Sequence, residues 1–134
     1  MASMSGEYLG VLRTRDTHHL SSNQIITDAP PDNNGKGEAF SPTDLVCAAL
    51  SSCMMTLMGI LAEREGIQLT GLKSEITKVM ASNPRRISEI QIVFSHPSLQ
   101  ATDIQKQKLT HAALTCPVAC SLREDIKQTI SFVW

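Results

Sequence analysis

Neither sign of charge is in excess in this chain of 134 residues: twelve Lys and Arg stand against thirteen Asp and Glu. Phosphate backbones are held by clustered cations, so nucleic acid is not an expected partner. Runs of like charge, internal repeats and low-complexity segments are also missing, and a single domain over residues 1–134 is expected. The N-terminal MASMSGEYLG lacks the basic region and apolar core of a secretory leader. The four cysteines lack the spacing of a secreted disulfide framework. The expected compartment is therefore the cytoplasm, where a disulfide is transient and catalytic rather than structural. Cys116 and Cys120 find no second pair at zinc-site spacing, and His18, His19, His96 and His111 are scattered, so no metal site is expected.

What the chain does have is one long apolar stretch, Leu45 to Ala62, close to the length of a membrane span. Ser51, Ser52, Thr56 and Gly59 interrupt it, and Asp44 and Glu63 bound it. It reads as a central buried helix rather than a membrane segment. A helix that is apolar all round must be covered on every side. So small a chain has difficulty doing that alone, which implies a partner subunit.

Around this helix the pattern is mainly strand-like. Glu7 to Thr14 has a strand bias, with His19 to Asp28 as its hairpin partner. Pro, Asn and Gly then punctuate a loop from Ala29 to Glu38. Ser41-Pro42 is a helix start, with Asp44 adding negative charge to the first turn. The helix is expected to run to about Arg64 and to stop at Gly66. Gln68 to Met80 and Ile87 to Ser95 read as an antiparallel pair joined through Asn83-Pro84-Arg85-Arg86. Thr102-Asp103 opens a second helix, Cys116-Pro117 a short third, and Ile126 to Trp134 is a final strand. The order β-β-α-β-β-α-α-β indicates an α+β fold.

Two cysteines stand in contrasting settings. Cys53 lies within the long apolar helix, and Cys116 opens the short third one. A thiol reacts as its thiolate and needs a cation, hydrogen-bond donors or a helix start to hold the charge. Pro117 suits a first helical position, so Cys116 is expected to have that support built in. For Cys53 the simplest source is an arginine: Arg13, Arg15 or Arg123. A low-pKa cysteine beside a second cysteine is the layout of a peroxide-reducing site. The opposing reading is that these are inert core cysteines, since free Cys usually behaves as a small hydrophobe. Cys47, on a different helix face from Cys53, and Cys120, one turn after Cys116, both fit that reading.

The segment FSPTDLVCAALSSCMMTLMGILAEREGI, followed downstream by CPVACSL, resembles the family of osmotically inducible protein C and organic hydroperoxide resistance proteins. The shared features are a Ser/Asn-Pro-x-Glu/Asp-Leu helix start (here Ser41, Pro42, Thr43, Asp44), an Ala-rich turn, a Cys in a long central helix and a second Cys in Cys-Pro. Spacing and element order agree as well, so the resemblance spans essentially the whole chain. It implies an intertwined homodimer with two central helices packed at its core. It also implies Cys53 as the peroxidatic thiol and Cys116 as the resolving thiol, forming a disulfide between them. The substrate would be an organic hydroperoxide, and the reductant an external dithiol, a lipoylated protein in some members. No metal, flavin or haem is implied.

One position departs from the pattern. The hydroperoxidase branches carry a Glu directly after the motif proline, where it positions an Arg against the reactive Cys. Here that position is Thr43, and the acid is one residue later, at Asp44. One residue turns a helix by about 100°, so Asp44 is not expected to substitute. Glu38 could replace it, but its loop setting favours an exposed position. Arg15 is the first match for the family arginine and Arg13 the second. Three readings follow: a thiol-dependent peroxidase; a non-peroxidase relative that binds an apolar small molecule at a dimer interface near Met54, Met55 and Met58; and a dimer whose cysteines are structural only.

Overall fold

The computed structural model describes all residues, 1–134. The chain divides into two compact units, Met1–Val46 and Cys47–Trp134.

The first unit is a three-stranded antiparallel meander. Strands β1 (Met4–Gly10), β2 (Arg13–His18) and β3 (Gln24–Asp28) lie in that order. One strand is therefore added to the expected order, and its origin is a tight turn at Val11-Leu12. Both residues take left-handed backbone angles, φ 48° and 64°, a region that β-branched and bulky residues rarely enter. Apolar, strand-like residues here make a hairpin corner, so the stretch from Glu7 to Thr14 splits into two strands. The Leu12 amide donates to the Tyr8 hydroxyl across this corner at 3.2 Å. A loop containing a short 3₁₀ turn, Pro31–Asn33, leads on to the helix start.

Helix α1 (Pro42–Glu65) begins where the Ser-Pro pair indicates. The Ser41 side chain accepts from the Asp44 amide at 3.0 Å, and the Asp44 carboxylate accepts from the Ser41 amide at 2.9 Å. This reciprocal box satisfies two of the amides that a helix start leaves without partners. At the other end Gly66 takes φ 70°, the left-handed turn that closes a helix and that glycine adopts without a Cβ clash. Only 33 % of the most apolar stretch of α1 is buried within one chain.

In the second unit, β4 (Lys73–Ala81) pairs antiparallel with β5 (Arg86–Ser95), and β6 (Lys127–Val133) pairs parallel with β5. A parallel neighbour needs a crossover. Helices α2 (Asp103–Leu114) and α3 (Pro117–Ser121) form it. The strand expected from Gln68 begins only at Lys73, because Gly71 at φ 99° turns the chain first. Helix α2 starts on a second capping box between Thr102 and Gln105. The buried core includes Leu50, Met54 and Met58 of α1, Ile90, Ile92 and Phe94 of β5, and Leu109 and Ala113 of α2. Cys47 joins it, at 2 % exposure, as expected of a small core hydrophobe.

Candidate functional site

Cys116 is the residue immediately before α3, and its sulfur accepts from the Ala119 amide at 3.4 Å. It is fully buried. Cys53, on the fourth turn of α1, is partly exposed. The fold brings the two together: Cys53 lies close enough to Cys116 to act on its thiol. Neither is in a disulfide.

The electrostatics of Cys116 reverse one expectation. Burial pushes its thiol above the ordinary range. Backbone donation from Ala119 and Val118 works against that shift, while the neighbouring Cys53 adds to it. Taking a sulfur out of water costs the thiolate more than two amides at a short helix start return. Cys116 is therefore held as a thiol, and Cys53 is the partly exposed residue of the pair.

Cys120 also differs from its expected setting. It is exposed, not a core residue. Its amide donates to the Cys116 carbonyl at 3.1 Å, and its sulfur lies 3.9 Å from the Thr115 carbonyl oxygen. Helix α3 buries none of its residues, a feature that residue type alone does not carry.

In the first unit the two candidate arginines, at alternate positions of β2, have different partners. Arg15 makes an exposed ion pair with Glu7 on β1, 2.8 Å long. Arg13 bonds Glu38 at 2.7 Å and reaches Asp28 at 3.5 Å. Asp28 is fully buried, and its carboxylate also accepts from the Glu38 amide at 2.9 Å. That amide, with the Arg13 guanidinium, holds the Asp28 carboxyl below its usual range despite burial. Arg13 Nε and Asp28 Oδ1 are buried without a hydrogen-bond partner.

Glu38 is exposed as expected, yet it is the carboxylate that grips an arginine. Asp28 was not singled out by the sequence pattern. A lone acid closing a strand carries no signal until pairing sets it opposite Arg13. The helix-start residues do other work. Asp44 completes the capping box, and the Thr43 hydroxyl lies 3.2 Å from that of Ser41. Of the three methionines, Met54 and Met58 are fully buried core residues. Met55 borders a cleft of about 370 Å³ together with Gly59, Glu63, Ile67 and Leu72.

A two-sheet α+β fold with a buried cysteine against a half-exposed one on a long apolar helix defines the class, and comparison with known proteins places the chain within it. The family model for OsmC-like protein matches residues 35–131, and the chain belongs to that family. A proposed osmotic stress induced and detoxification response protein from Psychrobacter arcticus is 47% identical, with 98% of this chain and 96% of that one covered and a TM-score of 0.94. The fold is shared with an organic hydroperoxide resistance protein OsmC from Legionella pneumophila (14% identity, 100% and 98% covered, TM-score 0.75). It is also shared with the organic hydroperoxide resistance protein OhrB of Bacillus subtilis (16% identity, 98% and 97% covered, TM-score 0.67). No curated protein matches the chain.

Proposed function

We propose that this protein is a thiol-dependent peroxidase that reduces organic hydroperoxides. The observation that carries this reading is the proximity of partly exposed Cys53 to buried Cys116. Exposure selects Cys53 as the thiol that meets the peroxide. Its thiolate attacks the O–O bond, releasing the alcohol and leaving a sulfenic acid. Cys116, kept as a thiol beside it, condenses with the sulfenic acid, forming the disulfide and releasing water. An external dithiol, such as a lipoylated protein, then reduces the disulfide. The organic hydroperoxide resistance proteins that share this fold support the choice of substrate class.

Arg13 is the arginine we assign to this chemistry, in preference to Arg15. Two carboxylates fix its guanidinium, and Glu38 takes the part that the resemblance gives to the Glu missing at position 43. Arg13 also keeps a buried Nε–H without a hydrogen-bond partner. The working unit is a homodimer in a reducing, cytoplasmic setting, with a second copy covering the open sides of α1. The apolar-ligand reading loses most of its motivation, since Met54 and Met58 are core residues.

The test is consumption of cumene hydroperoxide with dihydrolipoamide as reductant. Cys53→Ser abolishes turnover, and Cys116→Ser accumulates a sulfenic acid on Cys53 that dimedone captures. Wild-type protein that consumes no hydroperoxide with any dithiol overturns the reading.

A further inference from the structure

Oxidation as proposed above leaves a disulfide with one sulfur, Cys116, sealed from solvent and the other, Cys53, only partly open. Access is one of the determinants of thiol–disulfide exchange rates. The one solvent-exposed cysteine of the chain, Cys120, lies one helical turn from Cys116. We propose that Cys120 is a shuttle thiol, which takes the disulfide over from Cys53 and presents it to the external dithiol. This inference rests on the disulfide of the proposed peroxidase cycle.

Three observations carry it. The hydrogen bond from the Cys120 amide to the Cys116 carbonyl, at 3.1 Å, closes a turn that fixes the two residues as neighbours. The Cys120 sulfur lies 3.9 Å from the Thr115 carbonyl, so the side chain folds back toward the residue next to Cys116. Residues one turn apart have Cβ atoms about 5–6 Å apart, whereas bridged cysteines need about 3.5–4.5 Å. The gap is closed by a small shift of α3, a helix of only 5 residues that buries none of them and gives way at Leu122 to extended backbone.

The exchange balances without any further oxidant. The Cys120 thiol releases its proton to water, and its thiolate attacks the Cys116 sulfur. The Cys53–Cys116 bond breaks, its electron pair leaves on Cys53 as the thiolate, and a Cys116–Cys120 bond forms. One thiolate of the external dithiol then attacks Cys120, freeing Cys116. Its second thiol closes on the mixed disulfide, freeing Cys120. The dithiol ends oxidised, and all three protein cysteines end reduced. Attack on Cys53 and attack on Cys120 both expel Cys116, so the advantage of the shuttle is access: the dithiol meets exposed Cys120 in place of partly covered Cys53.

Trypsin separates the outcomes, because Cys116 and Cys120 share the peptide Leu109–Arg123 while Cys53 lies in Gly37–Arg64. Diamide is used as the oxidant, so the result does not depend on peroxide chemistry. In diamide-oxidised wild-type protein quenched with iodoacetamide, an internal disulfide is expected within Leu109–Arg123, together with alkylated Cys53. The same internal disulfide is expected in Cys53→Ser. Reduction of oxidised Cys120→Ser by dihydrolipoamide is expected to slow about tenfold. Oxidised protein in which Cys53 is joined only to Cys116, with Cys120→Ser reduced at the wild-type rate, overturns the proposal. A shuttle seen with diamide but no disulfide formed by hydroperoxide overturns the peroxidase reading instead.

Discussion

Cys53 and Cys116 are neighbours, one partly exposed and the other buried, and the proposed division of roles rests on that asymmetry. Nothing in the pattern around Cys116 reveals that its amide donors lose to burial, because desolvation is set by what packs over the sulfur. The arginines show the same limit. Arg13 and Arg15 stand at alternate positions of one strand and look equivalent as residues. Their partners separate them: Asp28 on β3 and Glu38 in the following loop for one, Glu7 on β1 for the other. Arg13→Ala is therefore expected to lower kcat/KM for cumene hydroperoxide about 100-fold, the usual loss for a removed charge-stabilising donor. Arg15→Ala, which breaks only an exposed ion pair, changes it by less than about twofold. Steady-state kinetics on both variants decide the assignment, and equal losses would undo it.

Among the elements, the long helix was legible from its ends inward. Ser41-Pro42, Asp44 and Gly66 are local signals with local mechanisms, and each acts within the turn that contains it. Ser41→Ala is expected to cost about 1 kcal/mol of unfolding free energy, read from urea midpoints. The first strands were less legible, because Val11 and Leu12 turn against their own backbone preference and a hairpin corner looks like a strand. Strand β3 ends in a buried charge, Asp28, whose effect on stability has a definite sign. Its carboxyl is held below the usual range by the Glu38 amide first and the Arg13 guanidinium after it. A depressed folded-state pKa adds stability above the unfolded value of about 3.9, and that stability is lost as pH falls further, through the folded value. Asp28→Asn should accordingly be less stable than wild type at neutral pH and show a flatter decline of the urea midpoint below about pH 3.9. An unchanged acid limb would mean that Asp28 titrates alike in both states.

The whole molecule poses a question of cover. A helix apolar on all sides cannot face water, yet one chain covers only a third of the most apolar stretch of α1. Ile60 stays 48% exposed on it. The first sheet repeats the pattern: Tyr8 is 65% exposed, and Ile25 and Ile26 on β3 are 49% and 42% exposed. Soluble monomers seldom leave apolar surface of this extent open, and doing so favours association. A second copy of the chain satisfies this with no further component, as the resemblance also implies. The expectation is a particle of two chains in sedimentation equilibrium without detergent. Because folding would then be coupled to association, the thermal midpoint should rise with protein concentration. Ile60→Glu, which sets a charge on the uncovered side of α1 where it costs a monomer little, should lower the dimer's association constant and weaken that concentration dependence. A wild-type particle of one chain, with a midpoint independent of concentration, would mean that α1 meets its cover in some other molecule.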